Sequence, residues 1–326
     1  MIREVNPPKS ESAKEPSTFA LADAMKQSKA EKKIPVVELF GPTIEGEGKL
    51  IGTQTFFIRF GLCDYKCRKC DSMHAVDPNL VKALASYKTQ QEIFEALVNH
   101  AASKSAAHIR NVTFSGGNPA IHDLSELVHL LKEDGWNIFV ETQGTKCPLW
   151  FWEVDEIVCS PKSPGMGEVF EQKVFEEFVQ SVAEYNTNLS IKIVVFNQLD
   201  LEFAAHVFDI ARVAWAAGYG DYTGDAALDW MHYNCFLSLG NPYPPQFEFT
   251  GELDPSTGKL QVGQGFDYPE FEAENKSEET TKNTLAGVLL NQYNTLCEAI
   301  MLDPRLSFAK FLPQLHVLVY GNEAGR

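Results

Sequence analysis

Gln54-Thr-Phe-Phe-Ile-Arg-Phe60 runs directly into Gly61-Leu-Cys-Asp-Tyr-Lys-Cys-Arg-Lys-Cys-Asp-Ser72, and the junction of these stretches decides how the chain is read. The first is an apolar run that reads as a strand. The second carries Cys63, Cys67 and Cys70 at C-x3-C-x2-C spacing, on one short loop at the strand's end. Three thiolates so close repel each other and shift toward neutral thiols unless a metal centre holds them. Iron–sulfur clusters and zinc both take such ligands. A [4Fe–4S] cluster with only three protein ligands leaves one iron open to something other than protein. Alternatively, His74 follows Cys70 at C-x3-H, and the four residues would close a tetrahedral Cys3His zinc site. A disulfide framework fits less well, because seven cysteines is an odd count and no secretory signal precedes them.

Outward from this loop, strand and helix patterns alternate. Strands are expected at 111–114, 136–141, 156–159, 189–195, 235–239 and 307–312. Helices are expected at 89–103, with Thr89 as a cap, and at 123–133, 171–185, 201–217 and 285–301. Such alternation implies an α/β fold with a parallel sheet. About six units are too few for a full eight-fold barrel, so the expected architecture is a partial, open (β/α) barrel, with its chemistry at the C-terminal strand ends. Residues 1–34 read as a disordered tail with a marginal helical turn near 19–25, and 35–326 as one domain. Pro244–Lys282 interrupts the rhythm as an acidic insertion with little periodicity, ordered in part by Phe247, Phe249, Phe266, Tyr268 and Phe271.

The 326 residues have an ordinary globular composition, 44% hydrophobic and 22% charged, with a net charge of −16. The charge is uneven: residues 1–35 carry +2 and the remainder −18. An acidic body repels phosphate backbones, which argues against direct binding of nucleic acid and for a small-molecule substrate. No apolar stretch approaches the roughly 20 residues of a membrane span. Free cysteines suit a reducing, cytoplasmic setting.

Further motifs fall at strand ends. Ser115-Gly-Gly-Asn-Pro119 follows the 111–114 strand, where two glycines let a ligand approach exposed backbone; an ordinary strand-to-helix turn is the plain alternative. Glu141-Thr-Gln-Gly-Thr145 and Cys159-Ser-Pro-Lys162 supply an acid, hydroxyls and a lysine. Cys147, Cys159, Cys235 and Cys297 read as small apolar residues. Phe40-Gly-Pro-Thr-Ile-Glu-Gly-Glu-Gly48 precedes the cysteine loop, and Leu312-Pro-Gln-Leu-His316 lies near the C-terminus.

The cysteine loop and Gly-Gly turn resemble those of radical S-adenosylmethionine (radical SAM) enzymes. The ordered set of motifs, over about 35–243 and 284–326, closely resembles the 7-carboxy-7-deazaguanine synthase family. That resemblance implies a lyase of 7-deazapurine (queuosine-type) biosynthesis. It would contract the ring of 6-carboxy-5,6,7,8-tetrahydropterin to 7-carboxy-7-deazaguanine with loss of ammonia, using a [4Fe–4S] cluster, S-adenosylmethionine and Mg2+. A homodimer and an unidentified electron donor are also implied. On the same grounds Cys63, Cys67 and Cys70 ligate the cluster and Ser72 ligates magnesium. Ile44, Glu45, Gly46, Arg59, Ser115 and His316 bind substrate. Gly117, Ser160, Pro161, Lys162, Ser238 and Asn241 bind cofactor. No protein acid or base is assigned a catalytic role. Ser72 would otherwise be a helix N-cap, Arg59 a surface arginine, and His316 a histidine covering the barrel end. The family pattern usually has Gln where this chain has Glu45, which when ionised accepts hydrogen bonds but cannot donate them. The competing readings are a radical SAM enzyme acting on another small molecule, and a zinc-stabilised, non-catalytic binding protein.

Overall fold

A computed structural model describes residues 32–221, 223–241, 246–253, 260–265 and 285–320. The tail at 1–31, with its marginal turn, lies outside these residues. So does most of the insertion, including Phe266, Tyr268 and Phe271.

The strands are β1 (Ile34–Ile44), β2 (Gln54–Phe60), β3 (Ser86–Lys88), β4 (Asn111–Gly116), β5 (Asn137–Thr142), β6 (Glu156–Cys159), β7 (Leu189–Val195), β8 (Cys235–Leu239), β9 (Gln246–Leu253), β10 (Leu260–Gly265) and β11 (Lys310–Leu312). The helices are α1 (Met73–Val76), α2 (Pro78–Leu84), α3 (Gln90–Ser103), α4 (Ser125–Glu133), α5 (Gln172–Glu184), α6 (Gln198–Tyr219), α7 (Asp225–Asn234), α8 (Leu285–Leu302) and α9 (Leu315–Tyr320). Nine strands form one sheet in the order β11-β8-β7-β6-β5-β4-β2-β1-β3. Every neighbouring pair from β2 to β11 is parallel, while β1 runs antiparallel to both β2 and β3. The outer strands β3 and β11 do not pair with each other, so the sheet is open, as the partial barrel requires.

Alternation along each strand assigns its two faces. Phe56, Ile58 and Phe60 of β2, Val112 and Phe114 of β4, and Leu189, Ile191, Ile193 and Val195 of β7 join the hydrophobic core. The intervening Phe57, Arg59, Ser115, Lys192 and Val194 line a cavity together with Glu38 of β1 and His316 of α9. Side chains from such widely separated strands reach one cavity only because the sheet curves around it.

Local chemistry explains where the elements start and stop. Thr89 caps α3 in a reciprocal capping box with Glu92. Helix α6 begins before Leu201 because the Asn197 side chain accepts the Leu199 and Asp200 N–H groups, and it ends at left-handed Gly220. Strand β11 is shorter than its sequence pattern because Asp303-Pro304 starts a 3-10 turn over Pro304–Leu306. Strand β1 is hidden in the sequence by Pro35 and Gly41-Pro42; a register shift between Phe40 and Thr43 takes up the second pair. Part of the acidic insertion forms a hairpin in which β9 and β10 pair antiparallel, Phe249 opposite Val262. Among the described residues no helix is long and apolar enough to cross a membrane.

Candidate active site

The cavity measures about 260 Å³. At one side of it lies the cysteine loop, whose path is fixed by backbone and side-chain ties. Leu62 turns the chain out of β2 with a left-handed φ of 75°. Its N–H donates to Ala75 O (2.7 Å), and its carbonyl accepts from Asn118 N–H (2.9 Å). The Asp64 carboxylate accepts from Asn118 Nδ2 (2.9 Å), Thr145 Oγ1 (2.5 Å) and Gln143 Nε2. Across the loop, Arg68 N–H donates to Met166 O (2.9 Å) and Lys66 N–H to Glu168 Oε1 (2.6 Å).

All three cysteines line the cavity. Burial pushes the Cys67 thiol up to about 11 and Cys70 to about 12, and it raises Cys63 as well; neighbouring acids add to the effect. The Lys162 charge pulls all three back. Thiols so placed ionise when a metal holds them. Two donors already face sulfur: Tyr65 N–H (3.4 Å) and Gln143 Nε2 (3.5 Å) both point at Cys63 Sγ. His74, the fourth ligand of the zinc alternative, instead meets Glu38, Nε2 to Oε2 3.5 Å. Three soft thiolates without that imidazole fit an iron–sulfur cluster with an open iron.

The Gly-Gly turn serves a tighter purpose than ligand approach alone. A Cβ on Gly117 would stand 1.8 Å from Leu62 O and 2.4 Å from Leu62 C, both backbone atoms. Gly117 N–H donates to Phe60 O (2.9 Å), and Gly116 has φ +123°. The end of β4 therefore lies flush against the start of the cysteine loop, where only glycine fits. We expect Gly117→Ala to displace that loop, so that purified variant holds less than half the wild-type iron after reconstitution. Full iron content would contradict this.

Deeper in the cavity, Arg59 Nε donates to Glu38 Oε2 (2.7 Å) and Nη1 to Ser72 Oγ (2.8 Å). Ser72 Oγ donates in turn to Asp71 Oδ1 (2.9 Å), and it makes no side-chain cap to the helix it precedes. Burial would raise the Glu38 carboxyl, but the His74 hydrogen bond and the Arg59 charge hold it down at about 2. On the opposite wall, buried Lys192 forms ion pairs with Glu47 and, at 3.7 Å, with Glu141. Burial works against its charge, yet those two carboxylates keep its pKa above the ordinary lysine value. Burial likewise opposes the charge on Glu47, but Lys192 and then His316 bring it down to about 2, and Gln314 Nε2 donates to it. The Glu45 carboxyl goes the other way: burial and the Glu141 charge raise it to about 8. His316 packs on Gly46, where a Cβ would meet its Nδ1 at 1.8 Å, and Leu315 N–H donates to Gly46 O (2.8 Å). The loop after β1 is thereby closed down onto α9.

No family model matches the chain. It is 32% identical over 297 residues to the 7-carboxy-7-deazaguanine synthase of Bacillus subtilis (strain 168), covering 90% of this chain and 99% of that protein. The chain belongs to the 7-carboxy-7-deazaguanine synthase family. The synthase of Escherichia coli (strain K12) is 30% identical over 138 residues, 40% of this chain and 57% of that one. The solved structure of QueE from Escherichia coli aligns at TM-score 0.45 and 23% identity, over 64% of this chain and 83% of that chain.

Seen as a member of the synthase family, the chain brings nearly all of its motif residues to one place. Ile44, Glu45, Gly46, Arg59, Ser115 and His316 line the cavity, as do Ser72, Gly117, Ser160, Lys162 and Asn241. Two others, Pro161 and fully buried Ser238, are not among its lining residues. Arg59 is no surface arginine, since its charge is engaged inside. Sequence reasoning passed over Glu38, Asp64 and Lys192. Glu38 and Lys192 had a legible signal, a single charge inside an apolar strand (Val36-Val-Glu-Leu-Phe40 and Ile191-Lys-Ile193).

Proposed function

We propose that the family reaction takes place in this cavity with a division of labour between its two walls. The reaction is the radical ring contraction of 6-carboxy-5,6,7,8-tetrahydropterin to 7-carboxy-7-deazaguanine, with release of ammonia, on the way to queuosine-type 7-deazapurines. The observation that carries this reading is the placement of the three cysteines, Arg59, Ser115, Glu45 and His316 around a single cavity.

Cys63, Cys67 and Cys70 would hold a [4Fe–4S] cluster, and Gly117, Ser160, Lys162 and Asn241 would surround S-adenosylmethionine beside it. When bound, these groups would supply the hydrogen-abstracting radical chemistry that the ring contraction needs. The chain's own residues position the substrate for that exchange and exclude water. Arg59, aligned by ionised Glu38, offers its remaining N–H groups to the substrate carboxylate as a fork. Asp71 and Ser72 present a carboxylate and a hydroxyl, hard oxygens of the kind Mg2+ selects. Glu45, Ser115 and His316 face the rest of the ring. Single-electron reduction of the cluster requires an external donor. The seven free cysteines suit a cytoplasmic setting, and the same reading carries a homodimeric assembly.

The test is turnover. Anaerobically reconstituted protein given S-adenosylmethionine, Mg2+, a strong reductant and 6-carboxytetrahydropterin should release 7-carboxy-7-deazaguanine and ammonia in equal amounts. No product from protein with an intact cluster would overturn the substrate assignment and favour a radical enzyme for another small molecule.

A further inference from the structure

Three carboxyl groups, Glu45, Glu47 and Glu141, share one ammonium, Lys192, inside the cavity wall. Lys49, two residues after Glu47, is committed to Glu156 at 2.8 Å, and His316 faces Glu47 from α9. Full ionisation would leave two uncompensated charges in a desolvated cluster, so one proton is retained at low cost. Contacts decide which group keeps it. Glu47 has Lys192 and the Gln314 amide as donors, and Glu141 is a third exposed and 3.7 Å from the ammonium. Glu45 is 4% exposed; among the described residues it forms no ion pair, and the Thr113 hydroxyl lies against its carboxyl.

That hydroxyl heads a chain whose protons can be counted. Glu45 Oε1 lies 2.5 Å from Thr113 Oγ1, Thr113 Oγ1 lies 3.1 Å from Thr55 Oγ1, and Thr55 Oγ1 lies 3.0 Å from Phe56 O. A backbone carbonyl only accepts. Three contacts in series need three protons, and two hydroxyls supply two. With Glu45 as the neutral acid, all three bonds form, running Glu45 to Thr113 to Thr55 to Phe56 O. With Glu45 ionised, one contact goes unmade.

We propose that Glu45 works as a neutral carboxylic acid, oriented by the Thr113–Thr55 relay, and that its proton sets the alkaline limit for binding the anionic pterin. Glu45 is thus a positioning residue whose uncharged state keeps a cavity already lined by Glu38, Glu47, Asp71 and Glu141 open to a substrate that brings another carboxylate. This inference rests on the substrate reading above. Geometry and electrostatics agree, because burial and the Glu141 charge raise the group to about 8.

The experiment uses reconstituted holoenzyme with S-adenosylmethionine and follows 6-carboxytetrahydropterin binding from pH 6.5 to 9.5. Wild type should lose affinity about tenfold per pH unit above the Glu45 transition, the slope of a single proton. Glu45→Gln should not show that loss, and it carries any titration of the substrate or of His316, Lys192, Glu47 and Glu141 as an internal control. In parallel, infrared difference spectra of wild type against Glu45→Gln should show a carboxylic-acid carbonyl band at neutral pH that disappears over the same interval. Should Glu45→Gln fail to fold, loss of that band in wild type alone, coincident with the loss of affinity, supports the proposal. An alkaline fall shared equally by both proteins, or no acid band at neutral pH, would overturn it. Failure of the substrate reading looks different: wild type then binds no pterin at any pH while the infrared band is still present.

Discussion

Lys192→Met should lower stability by about 3–5 kcal/mol, the penalty for stranding a buried ion-pair partner. In a chain of this size that corresponds to a fall of roughly 10 °C in Tm. Methionine keeps the length of the side chain, so the loss reports the charge. Lys192 is the cation for both Glu47 and Glu141, and it joins β7 to the loop that follows β1. The pH dependence has a definite sign. In wild type, Glu47 is depressed to about 2, so its pairing stabilises the fold fully above the ordinary carboxylate value of 4.5 and is lost progressively as pH falls from there through 2. Without Lys192, burial raises the same carboxyl above its unfolded value, and stability then falls as pH rises. The deficit of the variant should therefore be larger at pH 8 than at pH 5. The double variant Lys192→Met, Glu47→Gln should recover much of it. Thermal melts at the two pH values check this; a deficit below about 1 kcal/mol at pH 8 would show that the pair carries no structural weight.

Arg59→Ala should raise KM for 6-carboxytetrahydropterin roughly 30- to 150-fold, from the ~2–3 kcal/mol lost when one partner of a desolvated charge pair is removed. Iron content and reductive cleavage of S-adenosylmethionine should stay close to wild type, because no cysteine contacts the guanidinium in the bonds that hold it. Arg59→Lys should rescue only part of the loss, since a lysine cannot make the planar fork. Truncation also strands Glu38, which is held ionised at about 2. The variant Arg59→Ala, Glu38→Gln separates that effect from loss of substrate contact. Unchanged kcat and KM in Arg59→Ala would remove the residue from the binding machinery.

Much of this arrangement could be read before any coordinates. Strands 54–60, 156–159, 189–195 and 235–239 begin and end where their apolar runs do, because each is buried on one face by helices and on the other by the cavity wall. The cysteine spacing likewise states its chemistry locally. What escaped depends on which strand face turns inward and on what crosses the sheet. Nothing near Lys192 in sequence announces Glu47, which reaches it from 145 positions away. Asp64 looks like one more loop acid until Asn118, Gln143 and Thr145 converge on it from two other strand ends. Strand β1 was obscured by its prolines, which lie in bulges and at a short edge pairing and are tolerated there. Pro161 and Ser238 share motifs with lining residues but do not reach the cavity: Pro161 is buried in the loop after β6, and Ser238, level with Val194 on the same sheet face, is fully covered. Glu45, legible only as a departure from a glutamine, becomes understandable once Thr113 and the surplus of carboxylates beside it are seen.

The proposed function rests on Cys63, Cys67 and Cys70 holding an iron–sulfur cluster with one open iron. Iron, sulfide and zinc content of anaerobically purified and reconstituted protein, with its visible spectrum, tests it most directly. About four irons and four sulfides per chain and a broad brown absorbance are expected, all lost together in Cys67→Ala. One zinc per chain, with no iron taken up on reconstitution, would contradict it and leave the family resemblance as a fold without its radical chemistry.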